Sequence, residues 1–248
     1  MDLSGRVALV TGGSGVLGEA LARAFAAEGT SVALTYVGER SHAEEVAASL
    51  PGGTSAAFHL DQSDAEMVAA VVAEVVARYG RLDILVNNAA WNWWVPFPDL
   101  DAMTPEIWDR IHDTNLRGPF LLSRAAAPAL KEAKGRIVNI ASIAALGPGG
   151  SSIAYATSKA GLVHLTRCLA VALAPDVAVN CVAPGMIAGS RMVSRYPESI
   201  LRAVPERALL GRPGTAEDMA EQVLAFCRSD SVTGQVVAID GGQTRAAN

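Results

Sequence analysis

Tyr155 and Lys159 lie four residues apart in a segment of helical periodicity, so both fall on one helix face. An ammonium beside a phenol favours the phenolate and would bring the tyrosine toward the range useful for proton transfer. Ser142 closes an apolar strand-like run and would sit at the carboxyl edge of a sheet, where open α/β folds bind ligands. Its hydroxyl can donate to a carbonyl oxygen that gains charge during reduction. Taken alone, a Tyr–Lys pair at this spacing is common on solvated helices. What changes its meaning is a second signal, the cluster Gly12, Gly13, Gly15 and Gly18 between a buried strand-like run and a helix. Glycines there let the chain turn tightly and let backbone N–H groups approach a pyrophosphate at the helix N-terminus.

These groups need a scaffold, and the apolar patterning supplies one. Strand-like runs fall at Val7–Thr11, Ser31–Tyr36, Ser55–Leu60, Leu82–Asn87, Arg136–Ala141, Val177–Val182 and Val236–Ile239. Helical spacing separates them: from near Glu19 to about Glu28, over Ser41–Leu50, from a cap at Asp64 to Tyr79, through Pro105–Leu130 as one long or two consecutive helices, over Ala154–Ala174, and over Thr215–Phe226. Pro119 is expected to bend the fourth of these, and Asp218 sits three residues after Thr215 in a capping arrangement. Strands alternating with helix-length crossovers imply one α/β domain, residues 1–248, with a doubly wound, Rossmann-like parallel sheet of about seven strands and helices on both faces. The one long stretch read as irregular runs from Gly185 to Pro213, and its part from 186 to 213 is the expected substrate-side lid.

Composition narrows the class. A chain of 248 residues can bury roughly 70–75% of its extended surface. Half its residues are apolar and 18% charged, which argues against disorder, and a net charge of -5 argues against a general nucleic-acid binder. No apolar run reaches the length of a membrane span, and the opening residues enter the strand–glycine motif at once, so a cytoplasmic protein with no membrane association is expected. Cys168, Cys181 and Cys227 are dispersed in apolar segments and read as buried, reduced thiols. His164 and Cys168 share a helix face without further ligands, so no metal site is expected.

The ordered pieces Thr11-Gly12…Gly18, Asn87-Asn88-Ala89, Asn115, Ser142, Tyr155-x-x-x-Lys159, Pro184-Gly185 and Asp240-Gly241-Gly242 resemble the short-chain dehydrogenase/reductase family, single-domain branch, over nearly the full length. Within it the chain is similar to enzymes of the 3-oxoacyl-carrier-protein reductase kind. The resemblance implies hydride transfer between a nicotinamide cofactor and a carbonyl or alcohol carbon. Tyr155 would be the general acid or base, Lys159 would hold the nicotinamide ribose, Ser142 would orient the substrate oxygen, and Asn115 would hold a water leading from Lys159 to solvent. Gly12, Ser14, Gly15, Val16, Leu17, Gly18, Asn88, Ala89 and Ala90 would surround the cofactor, with Pro184, Gly185 and Ile187 on the nicotinamide side and Gln62 beside Asp61 on the adenine side. Relatives usually form tetramers through their long helices, so a homotetramer or homodimer is expected.

Several positions bear on cofactor and substrate. The second strand ends at Thr35–Tyr36 without an acid, and Arg40 follows, which favours NADP(H) over NAD(H); Glu39 nearby pulls the other way. Asp61 would bond the adenine amine or, equally, cap the next helix. Val16 stands where the family's middle glycine normally lies, an arginine frequent at position 15 is glycine, and Gly189 replaces a threonine. Trp91, Trp93 and Trp94, with Met186 and Met192, are the expected substrate-side residues, because tryptophan stacks on a ring, a sugar face or an acyl chain. Tyr196, Arg191 and Arg195 would complete the lid. A rival class is a catalytically silent nucleotide-binding sensor or assembly protein; intact Ser142, Tyr155 and Lys159 weigh against it.

Overall fold

A computed structural model describes residues 1–187, 189, 190 and 192–246 of the chain; the Arg191 part of the expected lid, and the side chain of Arg195, lie outside the described residues. The strands are β1 (Val7–Val10), β2 (Ser31–Tyr36), β3 (Ala56–His59), β4 (Ile84–Asn87), β5 (Arg136–Ile140), β6 (Ala178–Pro184) and β7 (Val236–Ile239). The helices are α1 (Val16–Ala27), α2 (Arg40–Ser49), α3 (Ala65–Tyr79), α4 (Pro105–His112), α5 (Gly118–Ala133), α6 (Ile153–Leu173), α7 (Glu198–Arg207), α8 (Ala216–Arg228) and a last turn, α9 (Gln243–Ala246).

The seven strands pair in the order β3-β2-β1-β4-β5-β6-β7, every pair parallel. β1, β4 and β5 are buried throughout, as strands covered on both faces must be. One core layer joins Leu17, Leu21 and Phe25 of α1 with Met219, Val223 and Phe226 of α8 over the sheet. The opposite layer joins Val68, Val71 and Val75 of α3 with Leu122, Ala126 and Leu130 of α5. The chain leaves β1 toward β2 on one side and β4 toward β5 on the other. The crevice at the carboxyl ends of β1 and β4 is therefore the topological switch point, where such sheets bind ligands.

Capping follows the sequence closely. The Asp64 carboxylate accepts from the Glu66 and Met67 N–H groups at 2.9 and 3.0 Å. Thr215 and Asp218 form a reciprocal capping box on α8. Three expectations need correction. The run from Pro105 to Leu130 does hold two consecutive helices, but the break between them is a π-helical segment, Asp113–Arg117, rather than Pro119, which falls in the first turn of α5. The stretch 185–213 is not irregular throughout, since α7 and a 3₁₀ turn at Val193–Arg195 lie inside it. Of the three thiols only Cys181 and Cys227 are buried, and Cys168 is exposed on α6, as is His164. No helix among the described residues is long and apolar enough to cross a membrane.

Candidate active site

The glycine turn is built by its neighbours. Gly12 has φ +63, and its N–H donates to the Thr35 hydroxyl, while the Gly13 N–H donates to the Thr35 carbonyl. A Cβ on Gly18 would come within 2.1 Å of the Gly12 carbonyl oxygen, so α1 can lie this close to the turn only with glycine there. Gly15 is the N-cap of α1 and provides no side-chain cap, whereas Ser152 and Thr215 do so for α6 and α8. The first N–H groups of α1 thus face the crevice without a capping side chain, a cradle suited to a pyrophosphate. Val16 opens α1 and is 42% exposed. The helix begins at Val16, three residues before the start near Glu19 that its periodicity suggested.

On the β4 side of the crevice, Asn88 donates through Nδ2 to the Thr11 carbonyl at 2.8 Å, and the Thr11 hydroxyl accepts from the N–H groups of Asn88 and Ala89. These bonds hold the start of the 88–90 segment against the glycine turn.

Beyond β5, Ser142 is extended and its hydroxyl accepts from the Ala144 N–H. Ser152 caps α6 by accepting from the Tyr155 N–H at 3.2 Å, which sets Tyr155 in the first turn and Lys159 one turn below it. Both are buried; Lys159 is 2% exposed and its ammonium donates to the Ile140 carbonyl at 2.8 Å. Burial drives the Tyr155 phenol well above the ordinary tyrosine range; nearby Tyr196 adds to the rise, and a hydrogen bond with Ser142 opposes it. Burial likewise brings Lys159 down to about 8, with Cys181 opposing. The expected lowering of the Tyr155 pKa by Lys159 is therefore overturned in this structure. Dehydration dominates, and the ammonium lies 5.9 Å from the centre of the phenol ring with one proton directed at Ile140.

Asn115 occupies the π-helical segment. Its amide donates to the Trp91 carbonyl at 2.9 Å and to the Ser158 hydroxyl at 3.2 Å, and its oxygen accepts from the Trp91 N–H at 2.8 Å. The side chain is thereby committed to fixing Trp91. Pro119, four residues on, has no N–H to give to the Asn115 carbonyl, which is therefore excluded from the ordinary helical ladder. Trp91 and Met192 pack beside Tyr155, with Ile111 and Ala144 in the same cluster. Trp91 and Trp93 stack with ring centres 5.9 Å apart, and Trp94 meets Tyr196 at 5.0 Å.

Other expected residues divide. Pro184 ends β6, and Gly185 donates to the Ile239 carbonyl with Asp240 so near that a Cβ would sit 3.1 Å from it. Met186 and Ile187 continue from there, half-buried, and Ile187 packs against the α1–α8 layer. Gly189 has φ +75, a conformation that a threonine would strain, so the loop here follows a path suited to glycine. Ser14 and Ala90 are half-buried at the crevice, while the Leu17 side chain belongs to the core. The Tyr36 ring is buried in the core layer containing Ala43 and Val46, against His59 at 5.5 Å, leaving only its main chain near the crevice. Arg40 is exposed at the start of α2 and pairs with Glu44 at 2.7 Å. Asp61 does not cap α3; it accepts from the Ser63 hydroxyl and N–H, which hold it below its ordinary pKa. The Gln62 amide donates to the Ala89 and Thr114 carbonyls, so its side chain ties the end of β3 inward.

Two positions escaped the sequence reading. Gly150, at φ +104, lies so close to Tyr155 that a Cβ would be 3.3 Å from its ring and 2.9 Å from Ala144 Cβ. The Gly149-Gly150 pair before the Ser152 cap was the available signal. Arg110 lays its guanidinium over Trp91, 4.3 Å from the ring centre, and only the fold reveals that contact.

Known proteins share this architecture. The family model described as Enoyl-(Acyl carrier protein) reductase matches residues 13–244. A Streptomyces violaceoruber protein assigned to the granaticin polyketide synthase as ketoacyl reductase 2 is 40% identical over 238 residues, covering 95% of each chain. The 3-oxoacyl-acyl-carrier-protein reductase FabG of Thermotoga maritima is 36% identical over 249 residues, covering 98% of this chain and 99% of the relative. A solved structure described as a short-chain dehydrogenase/reductase from Burkholderia xenovorans superposes with a TM-score of 0.89 at 32% identity, covering 97% of this chain and 98% of the other.

Proposed function

The chain belongs to the short-chain dehydrogenase/reductase family as a single-domain, NAD(P)(H)-dependent oxidoreductase of small carbonyl or alcohol substrates, and on that premise we propose how its residues share the work. Tyr155 is the general acid in reduction and the general base in oxidation. The observation that carries this reading is the convergence of Ser142, Tyr155 and Lys159 at the carboxyl end of β5, beside the switch-point crevice.

When bound, a nicotinamide cofactor would supply or accept the hydride at the substrate carbon. The buried phenol, held neutral, gives its proton to the carbonyl oxygen as charge develops there, and the Ser142 hydroxyl donates to the same oxygen. Lys159 keeps a positive charge near the phenolate that remains, and its protons not given to Ile140 would hold the nicotinamide ribose. The Asn115 carbonyl, which receives no N–H from Pro119 four residues on, would hold the water that returns the proton from solvent through Lys159. Oxidation runs the same transfers backward.

The cofactor's pyrophosphate is assigned to the N-terminus of α1 at Gly12, Ser14, Gly15, Val16, Leu17 and Gly18, and its adenine end to the Tyr36 main chain, Asp61 and Gln62. Asn88, Ala89 and Ala90 floor the site; Pro184, Gly185 and Ile187 form the nicotinamide wall. NADP(H) is favoured over NAD(H), because no acid ends β2 to repel a 2′-phosphate and Arg40 stands at the adjacent helix start. Residues 186–213 cover the substrate side, where Trp91, Trp93, Trp94, Met186 and Met192 contact substrate. Exposed Trp108 and Phe120 on α4 and α5 suit a homodimer or homotetramer, and free thiols suit a cytoplasmic setting.

Titration with NADPH and NADH, read by tryptophan quenching, tests the assignment together with a screen of ketones and alcohols. Tight NADPH binding with turnover supports it. Binding without turnover of any carbonyl or alcohol would favour the nucleotide-sensor reading.

A further inference from the structure

We infer that Trp91, Trp93, Trp94 and Tyr196 form a rigid aromatic wall that selects a flat, apolar, ring-bearing carbonyl compound as substrate. The inference rests on the oxidoreductase reading above and sharpens it to a substrate class.

The wall is anchored before any substrate arrives. Asn115 holds the Trp91 main chain on both its N–H and carbonyl sides, at 2.8 and 2.9 Å. Arg110 lies over the Trp91 ring at 4.3 Å, and Trp93 lies within 15° of parallel to it. Trp93 is 44% exposed, so the stack runs from the Tyr155 cluster, where Trp91 packs, out to solvent. From the lid side, Tyr196 meets Trp94 at 5.0 Å, and the Asn92 amide donates to the Met192 carbonyl at 3.3 Å. Met192 in turn packs in the Tyr155 cluster beside Trp91. Two segments a hundred residues apart are thus joined around the phenol assigned to proton transfer.

The chemistry of these surfaces discriminates among substrates. Flat faces held by hydrogen bonds and stacking gain most from a flat partner, which has no rotors to freeze on binding. A flexible acyl chain pays for each rotor it immobilises against such a wall. A polyol would have to strip water from several hydroxyls, yet the one amide in the Trp91–Trp94 segment, on Asn92, is buried and donates to Met192. Among the described residues, the wall therefore offers mainly aromatic surface, and hydroxyls left unpaired against it weigh heavily against a sugar.

The test measures kcat/KM, with whichever nicotinamide cofactor supports turnover, for acetophenone, 2-octanone and dihydroxyacetone. The wild-type protein is compared with Trp93→Ala, Trp94→Ala and Trp94→Phe, each first matched to it in melting temperature and cofactor affinity. The expected result is a preference of about tenfold or more for acetophenone over both others. That preference should collapse toward parity in the alanine variants and survive in Trp94→Phe. Equal use of acetophenone and 2-octanone by the wild type, preference for dihydroxyacetone, or an aryl preference untouched in both alanine variants would overturn the inference alone. Turnover of none of the three would overturn it, and the wider ketone and alcohol screen then separates that outcome from a failure of the oxidoreductase reading.

Discussion

The Lys159 ammonium donates to the main-chain carbonyl of Ile140 at 2.8 Å, which pins the start of α6 to the carboxyl end of β5. That bond fixes the one lysine beside the Tyr155 phenol in a nearly water-free position, and dehydration lowers it from 10.5 to about 8. Between those two values the unfolded chain keeps a proton that the folded chain has released, so the lysine's contribution to stability rises with pH across that window. Urea unfolding of wild type and Lys159→Met at pH 7.5 and 10.5 should show the wild type gaining about 3 kcal/mol relative to the variant. Equal pH dependence in the two would mean the ammonium is solvated.

Gly150 is a backbone requirement of the site. With φ +104 and Tyr155 and Ala144 against it, alanine there is both strained and crowded. Gly150→Ala should lower kcat by about tenfold or more through displacement of the phenol while leaving cofactor affinity within about threefold. Fluorescence titration and steady-state kinetics separate the two; an unchanged kcat would remove the residue from the account.

Asn115→Ala should cost stability as well as activity. It removes the two hydrogen bonds that Asn115 makes to the Trp91 main chain, each worth about 1 kcal/mol. A melting temperature lowered by several degrees, with KM raised more than the NADPH dissociation constant, is the expected pattern. An unaltered KM would show that the Trp91 clamp does not shape the substrate side.

Cofactor choice turns on two positions. Gly15 is exposed with φ -87, and a Cβ there meets only the Gly12 carbonyl at an ordinary 3.5 Å, so a side chain is permitted. Gly15→Arg should tighten NADPH binding by about tenfold through a charge-assisted contact, and Arg40→Ala should weaken NADPH by a similar factor while sparing NADH. A parallel change for both cofactors would reject Arg40 as a 2′-phosphate contact.

Away from the site, the buried Asp83 carboxylate accepts from Arg81, Arg6 and the Val7 N–H. Burial raises its pKa, but those bonds outweigh burial and hold it below the ordinary 3.8. Its contribution is present above that value and is lost as pH falls through the lower folded one. Asp83→Asn should cost about 3 kcal/mol near neutrality, and the difference from wild type should shrink in acid. A difference constant from pH 7 to 3 would contradict this.

The sequence made the sheet and its ligand edge legible because β1, β4 and β5 are apolar runs bounded by glycines and polar caps, and Asp64 and Thr215 announce their helices. It could not distinguish Asp61 from Asp64 as the cap of α3, since three residues of register decide it. α7 was hidden by Pro197 and Pro205 and by mixed charge. The π-helical segment leaves no compositional trace; Pro119 hints at a break but not at the clamp that Asn115 makes on Trp91. Tyr36 and Gln62 were legible as positions on strand ends, not as side chains turned inward. The rise in the Tyr155 pKa depends on burial, which spacing cannot report.

The central claim is that the Tyr155 phenol transfers the proton. Tyr155→Phe keeps the ring and its packing while removing that proton, so NADPH affinity should stay within about threefold and the single-turnover rate of ketone reduction should fall by about a hundred- to ten-thousandfold. A variant that binds NADPH and reduces the same ketone as fast as the parent would contradict the account.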